Sequence, residues 1–151
     1  MKQYGARLLF YPHASMQQYI EQFSSDDDCV TISDRANYDV QQLLMESAML
    51  VTDYSSVFFD FAYMQKPMIY YQFDQEKYRL WQYQEGYFSY EQDGFGVIAR
   101  TETDLLLQIE SLLKTGFVMP SLYAVRANGF FAFRDTDNCE RTYDAIMTRL
   151  K

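Results

Sequence analysis

Short apolar runs alternate with stretches of helical periodicity along this chain. Each apolar run ends in polar or turn-forming residues, which is typical of strands that are buried on both faces of a sheet. The predicted strands are Arg7–Tyr11, Cys29–Ile32, Ala48–Thr52, Met68–Tyr71 and Val97–Ala99. Because strands and helices alternate about five times, the pattern predicts an α/β fold, with a parallel sheet covered by helices on both faces.

The stretches between these runs place apolar residues at helical spacing. The predicted helices are Ser15–Phe23, Asp39–Ser47, Val57–Met64, Gln75–Trp81, a stretch from Thr101 to Gly116, one that begins at Pro120, and Cys139–Lys151. Ser15, Asp39 and Thr101 are the candidate N-caps, because their side-chain oxygens can accept hydrogen bonds from the first turn. The closing helix has one apolar face, made of Tyr143, Ile146, Met147 and Leu150.

Composition restricts the class of protein. At 151 residues and 48% hydrophobic content, the chain is expected to form one domain with a core. The net charge of −8 argues against non-specific binding to nucleic acid, which requires a basic face. One histidine and two distant cysteines, Cys29 and Cys139, cannot build a zinc site, and reduced thiols of a cytosolic protein are expected. No run of about 18 apolar residues predicts a transmembrane helix, and the start MKQYGARLLF lacks the apolar region of a signal peptide.

Aromatic residues are concentrated in the segment 72–92. The chain has 14 tyrosines and 12 phenylalanines, so some of them are expected at a groove or an interface rather than in the core. Part of this segment is predicted to be a structured surface loop. A lid, a membrane-facing patch and a domain interface are all compatible with its composition.

The most informative stretch is Ser47–Tyr71, which has the pattern of a parallel crossover unit: strand, hydroxyl-rich turn, helix, strand. In such units ligands bind beyond the carboxyl ends of the strands, and Ser55 and Ser56 lie there. These serines either cap the following helix or bind an anion together with its free N–H groups. Asp53 is interpreted as a cap or as the residue that orients the turn. Asp60, one turn into the helix, is either a solvated charge or an acceptor for ribose hydroxyls.

Two further sites carry candidate chemistry. His13 follows Pro12 at the carboxyl end of the first strand, so it is expected to face the same crevice as Ser55. It is either a structural residue or, when protonated, a group that stabilises negative charge on a phosphate. The segment 134–141 mixes charges before the last helix, and it either caps that helix or belongs to the site. GxGxxG, P-loop and GxSxG motifs are missing, which disfavours dinucleotide binding, Walker-type NTPases and serine hydrolases.

Several of these motifs occur together in one known family. The run TDYSSVFFD at 52–60 is the most specific of them. It is accompanied by Pro12-His13, by Lys66-Pro67 with the apolar run that follows, by Glu85-Gly86-Tyr87-Phe88, and by the segment from Asp135 to Arg141. This set resembles the C-terminal half of the CDP-glycerol glycerophosphotransferases, bacterial enzymes of teichoic-acid and related capsule polymer synthesis. The resemblance spans nearly the whole chain, although residues 134–137 differ from the family's usual DDG-type run and Cys139 stands near a usual serine.

The resemblance implies a fold and a donor. Members of the family have a GT-B architecture, in which two Rossmann-like domains enclose the active site. Residues 1–151 would be a single donor-binding domain, the C-terminal one. The donor substrate would be CDP-glycerol or a similar CDP-linked polyol, with no cofactor and no metal.

The resemblance also implies roles for individual residues. Ser55 and Ser56 would contact the donor phosphates, and Asp60 would bind the ribose. The loop 33–38 would approach the cytosine, and His13 would be the catalytic residue that stabilises the diphosphate. The remaining residues of the implied substrate-binding set are Thr52, Asp53, Asp135 and Asn138.

The implied reaction is attack by an acceptor hydroxyl on the glycerol-bearing phosphate, with release of CMP. The acceptor would be a lipid-linked polymer, and the full-length enzyme would be cytoplasmic and peripheral on the inner face of the cell membrane. The family's N-terminal domain, with a second histidine proposed as general base, is expected to lie outside this chain, so the isolated chain would bind donor weakly and catalyse little. Two alternatives stay open: a GT-B donor domain for a nucleotide sugar, and a non-catalytic interaction module whose aromatic segment binds a partner domain or a membrane.

Overall fold

Short parallel strands and helices follow one another in the order that the hydrophobic pattern predicts. The computed structural model describes residues 1–81 and 86–150, and the elements below belong to these residues. The strands are β1 (Leu8–Phe10), β2 (Val30–Ile32), β3 (Leu50–Thr52), β4 (Met68–Tyr71) and β5 (Val97–Ala99). The helices are α1 (Val40–Glu46), α2 (Phe58–Tyr63), α3 (Gln75–Trp81), α4 (Glu102–Lys114), α5 (Ser121–Phe130) and α6 (Asn138–Arg149), with 3-10 segments at Lys2–Tyr4 and Ala14–Gln22. Every predicted strand is confirmed within its predicted bounds.

The strands pair in two parallel sheets. β1 pairs with β2, with Leu9 opposite Thr31. The second sheet has the order β3-β4-β5, with Val51 opposite Ile69 and Tyr70 opposite Ile98. The predicted α/β fold with parallel strands and flanking helices is therefore confirmed, and it is consistent with a Rossmann-like domain of the GT-B type.

β4 is the centre of the packed part of the molecule. Met68 and Tyr70 point into one apolar cluster, which α2 and α5 complete. Ile69 points to the opposite face, where Leu112 of α4 covers it. This alternation follows from the two-residue period of a strand, and a strand that is buried on both faces must be apolar throughout.

Most helix ends follow the predicted capping chemistry. Asp39 accepts a hydrogen bond from the N–H of Gln42 at 3.0 Å, and Thr101 accepts one from Asp104 at 3.1 Å. Gly116 adopts a φ of +67° just after α4, the left-handed conformation that ends helices and that glycine tolerates best. The prediction for Ser15 was wrong, because His13 is the N-cap of the segment Ala14–Gln22. That segment is 3-10 rather than α-helical, and it is kinked at Tyr19.

The aromatic segment is partly core. Phe88 packs against Phe58 with ring centroids 5.3 Å apart, and Tyr90 packs against Tyr70 at 5.0 Å. Both rings belong to the cluster around β4, whereas Phe73 is 65% and Tyr87 90% exposed. Residues 82–85, which form part of the predicted surface loop, lie outside the described residues.

The predicted apolar face of α6 is not buried. Tyr143, Ile146 and Leu150 are each more than half exposed, and α6 contributes no buried residue. Cys29 and Cys139 are both free thiols. Among the residues that the structure describes, no helix has the length and apolar content needed to span a membrane.

Candidate functional site

The turn after β3 is held by its own carboxylate. Thr52, the last residue of β3, lies opposite Tyr70 of β4. Asp53 Oδ1 then accepts the N–H groups of Tyr54, at 2.6 Å, and Ser55, at 3.2 Å. A short carboxylate side chain that bonds to the following amides stabilises a bend in place of continued strand. Asp53 therefore orients the turn, which is one of the two roles predicted for it.

Ser55 and Ser56 do not cap α2. The N-cap position belongs to Val57, and no side chain bonds to the first turn of this six-residue helix. Ser56 contributes only its carbonyl, which accepts the N–H of Phe59 at 3.0 Å. Within the described part of the chain neither serine hydroxyl has a hydrogen-bond partner, with Ser55 half-buried and Ser56 exposed. The capping interpretation was wrong, and both hydroxyls are free to bind a ligand.

A tyrosine stack supports the turn from one side. Tyr54 lies on Tyr78 of α3, with ring centroids 3.6 Å apart and planes within 7° of each other. The Tyr54 hydroxyl donates to Asp74 Oδ1 at 3.0 Å, and the ring meets Tyr90 edge-on at 6.3 Å. Burial and the bond to Asp74 raise the pKa of Tyr54 well above its ordinary value, and burial raises the pKa of Tyr90 to about 12. Both phenols are therefore neutral at physiological pH.

Gln72 joins the turn to the sheet. It is the residue after β4 and is only 1% exposed. Its side-chain amide donates to the carbonyl of Asp53 and accepts from Gln75, each at 3.4 Å, and its backbone N–H donates to Ala99 at 2.9 Å. A buried amide requires such partners. Sequence reasoning missed Gln72, although a polar residue directly after a fully apolar strand was a usable signal.

His13 lies on the other sheet, at the carboxyl end of β1. Its Nδ1 accepts the N–H of Ser15 at 3.3 Å and lies 2.9 Å from the Ser15 hydroxyl. Because a backbone N–H can only donate, neutral His13 carries its proton on Nε2. The side chain is exposed, and Nε2 has no hydrogen-bond partner among the described residues. Among residues 1–81 and 86–150, no hydrogen bond or ring contact joins His13 to the turn after β3.

An open cleft of about 700 Å³ lies beside His13, between the segment Ala14–Gln22 and the loop after β2. Gln17 bridges the two walls: its amide donates to the carbonyl of Pro12 at 2.7 Å and accepts the N–H of Arg35 at 3.1 Å. Asp34 accepts from Asn37, whose side chain is the main cause of the lowered pKa of that carboxyl. Ser33 Oγ is fully buried beneath the loop and has no partner among the described residues. The loop 33–38, which was predicted to approach the cytosine, is therefore held by these hydrogen bonds beside an open cleft.

The other predicted site residues fall into two groups. Asp60 is exposed in the first turn of α2, near Ser55 and Ser56. Asp135 is linked to the last residue of α2, because its carbonyl accepts the Tyr63 hydroxyl at 3.4 Å. Among the described residues, no hydrogen bond or ion pair joins Asp135 to Ser55 or Ser56.

Arg141 engages the two predicted polar side chains of that segment. It donates to both carboxylate oxygens of Asp135, at 2.7 and 3.1 Å, and to Asn138 Oδ1 at 2.6 Å. The guanidinium lowers the pKa of the Asp135 carboxyl. Arg134, the residue before Asp135, donates to the carbonyl of Tyr63 at 2.7 Å. Tyr63 is the last residue of α2, so this bond satisfies a free carbonyl at the C-terminal end of the helix. A role of Asp135 and Asn138 in donor binding stays a prediction.

Comparison of the sequence with known proteins assigns the chain to one family. Residues 2–148 match the family described as CDP-glycerol:poly(glycerophosphate) glycerophosphotransferase. Over 146 residues the chain is 34% identical to the minor teichoic acid biosynthesis protein GgaB of Bacillus subtilis (strain 168), which covers 97% of this chain and 16% of that protein. Over 109 residues it is 35% identical to the teichoic acid poly(glycerol phosphate) polymerase of the same strain, covering 72% of this chain and 14% of the relative.

A third relative is the teichoic acid glycerol-phosphate transferase of Staphylococcus aureus (strain NCTC 8325 / PS 47). It is 33% identical over 117 residues, which are 77% of this chain and 30% of that protein. The matched chain therefore spans less than a third of the length of each of these relatives.

Proposed function

Because the chain belongs to the CDP-glycerol:poly(glycerophosphate) glycerophosphotransferase family, we propose that it is the donor-binding domain of an enzyme that transfers glycerol phosphate from a CDP-linked donor to a growing cell-wall or capsule polymer. The observation that carries the proposal is that the hydroxyls of Ser55 and Ser56 have no hydrogen-bond partner among the described residues. Asp53 holds the turn and Val57 is the N-cap of α2, so neither hydroxyl is needed to stabilise the turn or the helix. They stand at the carboxyl end of a parallel strand, where ligands of such sheets bind.

The serines bind the donor diphosphate in this proposal. A hydroxyl that donates to a charged phosphate oxygen forms a strong hydrogen bond. The turn is already ordered by Asp53, Gln72 and the Tyr54–Tyr78 stack, so binding does not have to order it. Preorganisation of this kind raises affinity and positions the reacting phosphate. Thr52 and Asp53 contribute to the site through the backbone geometry of the turn.

His13 contacts the diphosphate from the opposite side. The Ser15 N–H occupies Nδ1, so Nε2–H is the group that donates to a phosphate oxygen. Charge develops on the leaving phosphate during transfer, and a donor aimed at that oxygen stabilises the transition state. His13 is thus the proposed catalytic residue of this chain. The cleft beside it takes the cytosine, and Asp60 accepts from the ribose hydroxyls.

The proposed reaction is a phosphoryl transfer. An acceptor hydroxyl attacks the phosphorus that carries glycerol, the bond from that phosphorus to the CMP oxygen breaks, and CMP leaves. The hydroxyl proton passes to a base that we place outside residues 1–151. The acceptor is a lipid-linked polymer, and the complete enzyme works at the inner face of the membrane. Residues 1–151 alone are expected to bind donor weakly and to show little activity.

Calorimetric titration with CDP-glycerol tests the proposal. The wild-type chain is expected to bind CDP-glycerol more tightly than CMP or UDP-glucose. The double variant Ser55→Ala/Ser56→Ala is expected to weaken binding by about tenfold or more, since a hydrogen bond to a charged group contributes about 1.5–3 kcal/mol. Its thermal stability should stay within about 0.5 kcal/mol of wild type, because neither hydroxyl is bonded in the protein.

Ser111→Ala is the matched control. Ser111 is exposed on α4, which covers the other side of the β3-β4-β5 sheet from α2, so this variant should bind donor like wild type. A double variant that loses stability while keeping its affinity would show that the serines are structural. Preference for UDP-glucose over CDP-glycerol would instead favour a nucleotide-sugar donor.

A further inference from the structure

Ser15 contacts His13 through two different groups. Its backbone N–H donates to His13 Nδ1 at 3.3 Å, and its hydroxyl oxygen lies 2.9 Å from the same ring nitrogen. The backbone contact makes Nδ1 an acceptor in the neutral ring. The hydroxyl contact is the shorter of the two, so the Ser15 side chain adds a second constraint on the imidazole.

The backbone N–H also decides the direction of the hydroxyl contact. An imidazole nitrogen of the neutral ring either carries a hydrogen or accepts one. A hydrogen on Nδ1 would face the N–H of Ser15, and two donors would oppose each other. Nδ1 therefore accepts, and the Ser15 hydroxyl is the donor in the contact of 2.9 Å. This distance is within the normal range of a hydrogen bond.

The turn that carries both residues is held by other hydrogen bonds. Pro12 is buried, and its carbonyl accepts the side-chain amide of Gln17 at 2.7 Å. The carbonyl of Ser15 accepts the side-chain amide of Gln18 at 3.1 Å. The backbone of Ser15 is therefore already ordered beside the imidazole, so the hydroxyl bond forms at a small cost in conformational entropy.

We propose that Ser15 is a positioning residue, whose hydroxyl keeps His13 a hydrogen-bond donor at Nε2. The inference rests on the proposed function for its ligand, a phosphate of the CDP-linked donor. With Nδ1 held as an acceptor, the hydrogen of the neutral ring stays on Nε2. The protonated ring also carries a hydrogen there. Nε2 is therefore a donor in both protonation states, and it has no partner among the described residues.

This arrangement excludes one role for His13 and supports another. A histidine that acts as a general base donates its Nδ1–H to a carboxylate or a carbonyl, which leaves a lone pair on Nε2. His13 has the reverse arrangement, with two donors at Nδ1. Its Nε2 cannot take a proton from the acceptor hydroxyl, but it can donate to a phosphate oxygen. The general base of the proposed reaction is therefore a different group.

Nitrogen NMR of the imidazole tests the inference, because His13 is the one histidine of the sequence. Long-range ¹H–¹⁵N spectra at about pH 8.5, well above the ordinary histidine pKa of about 6.5, distinguish a ring nitrogen that carries a hydrogen from one that does not. Wild type should carry the hydrogen on Nε2. Ser15→Ala should raise the ratio of the Nδ1–H form to the Nε2–H form about fivefold, the effect of losing one ordinary hydrogen bond. Ser15→Thr keeps the hydroxyl and should retain the wild-type ratio.

Ser24→Ala is the matched control. Ser24 is an exposed serine just beyond the segment Ala14–Gln22, and its side chain makes no hydrogen bond within the described part of the chain. This variant should leave the ratio of the two forms unchanged. An equal ratio in wild type and Ser15→Ala would overturn the proposal, as would a wild-type ring that carries its hydrogen on Nδ1.

Donor affinity separates this inference from the proposed function. In calorimetric titrations with CDP-glycerol, Ser15→Ala should weaken binding about two- to fivefold, because the ring also loses the bond that orients it. The same change should have no further effect in the His13→Ala background. An equal effect in both backgrounds would mean that the Ser15 hydroxyl contacts the donor itself, which would overturn the positioning role. A chain that binds no CDP-glycerol would contradict the proposed function, and the NMR ratio would still decide the role of Ser15.

Discussion

The two sheets of this protein differ in how completely they are packed. In the β3-β4-β5 sheet, Ile69 and Tyr70 are fully buried, as is Phe61 of the covering helix α2, and helices cover both faces. In the β1-β2 sheet, the three residues of β1 are about two-fifths exposed. Neither β1 nor β2 contributes a residue to the two apolar clusters of the described chain. The proposed phosphate-binding turn is therefore built on the well-packed sheet, and His13 with the adjoining cleft is built on the weakly packed one.

This difference indicates where the proposed site is rigid and where it depends on other contacts. The turn after β3 is fixed by Asp53, Gln72 and Tyr54 whatever happens to the other sheet. The position of His13 relative to that turn depends on how β1 is held. Lys66 holds the end of α1 to the start of β4, since its Nζ donates to the carbonyls of Leu44 and Ser47.

The largest expected effect comes from a matched pair of phenylalanines. Phe61→Ala should lower the free energy of unfolding by about 3–5 kcal/mol, because it opens a cavity in a fully buried cluster. Phe10→Ala should cost only about 1–2 kcal/mol, because Phe10 is already 39% exposed, with its ring against Phe23. Urea denaturation of both variants measures the difference. Equal losses would mean that the two sheets form one cooperative core.

A smaller effect is expected when Lys66 is detached from the end of α1. Lys66→Met removes an ammonium group that bonds to the last carbonyls of α1, and about 1.5–3 kcal/mol of stability should be lost. Amide exchange should become faster mainly in α1. Lys77→Met, at an exposed position on α3, is the control and should leave exchange unchanged. Exchange in α1 that stays at the wild-type rate would contradict this role of Lys66.

The smallest expected effect is on the pH dependence of stability, and it comes from Tyr54, beside the β3-β4-β5 sheet. The pKa of Tyr54 is raised in the folded state, mainly by burial and then by Asp74. A raised pKa means that the stabilisation is complete below the ordinary tyrosine pKa of about 10 and is lost as the pH rises above it. Tyr54→Phe should cost about 1 kcal/mol at pH 7, the usual contribution of one hydrogen bond. Its stability should then fall less steeply than that of wild type in urea titrations at alkaline pH, and parallel curves would rule out Tyr54 as the group responsible.

Local chemistry accounts for what could be predicted. The strands, the Asp39 and Thr101 caps and the turn at Asp53 depend on residues within a few positions of one another, so their signals are present in the sequence. Ser15 was wrongly predicted as a cap, and the structure excludes capping as one of the two roles left open for Ser55 and Ser56, since His13 and Val57 occupy the cap positions. Gln72 was missed because its partners belong to other elements. The contact of Arg134 with Tyr63 could not be predicted, because it joins residues that are 71 positions apart in the sequence.

The sequence by itself determined the order and type of the elements, the parallel strands and the family, since these follow from hydrophobic period, turn residues and a specific motif. Only the tertiary structure decided which polar side chains are hydrogen-bonded within the described part of the chain and which are not. Asp53 and Asp135 are engaged by neighbours, whereas the hydroxyls of Ser55 and Ser56 are not. The separation of the strands into two sheets was also decided there, because strand pairing is a long-range choice that no local pattern encodes.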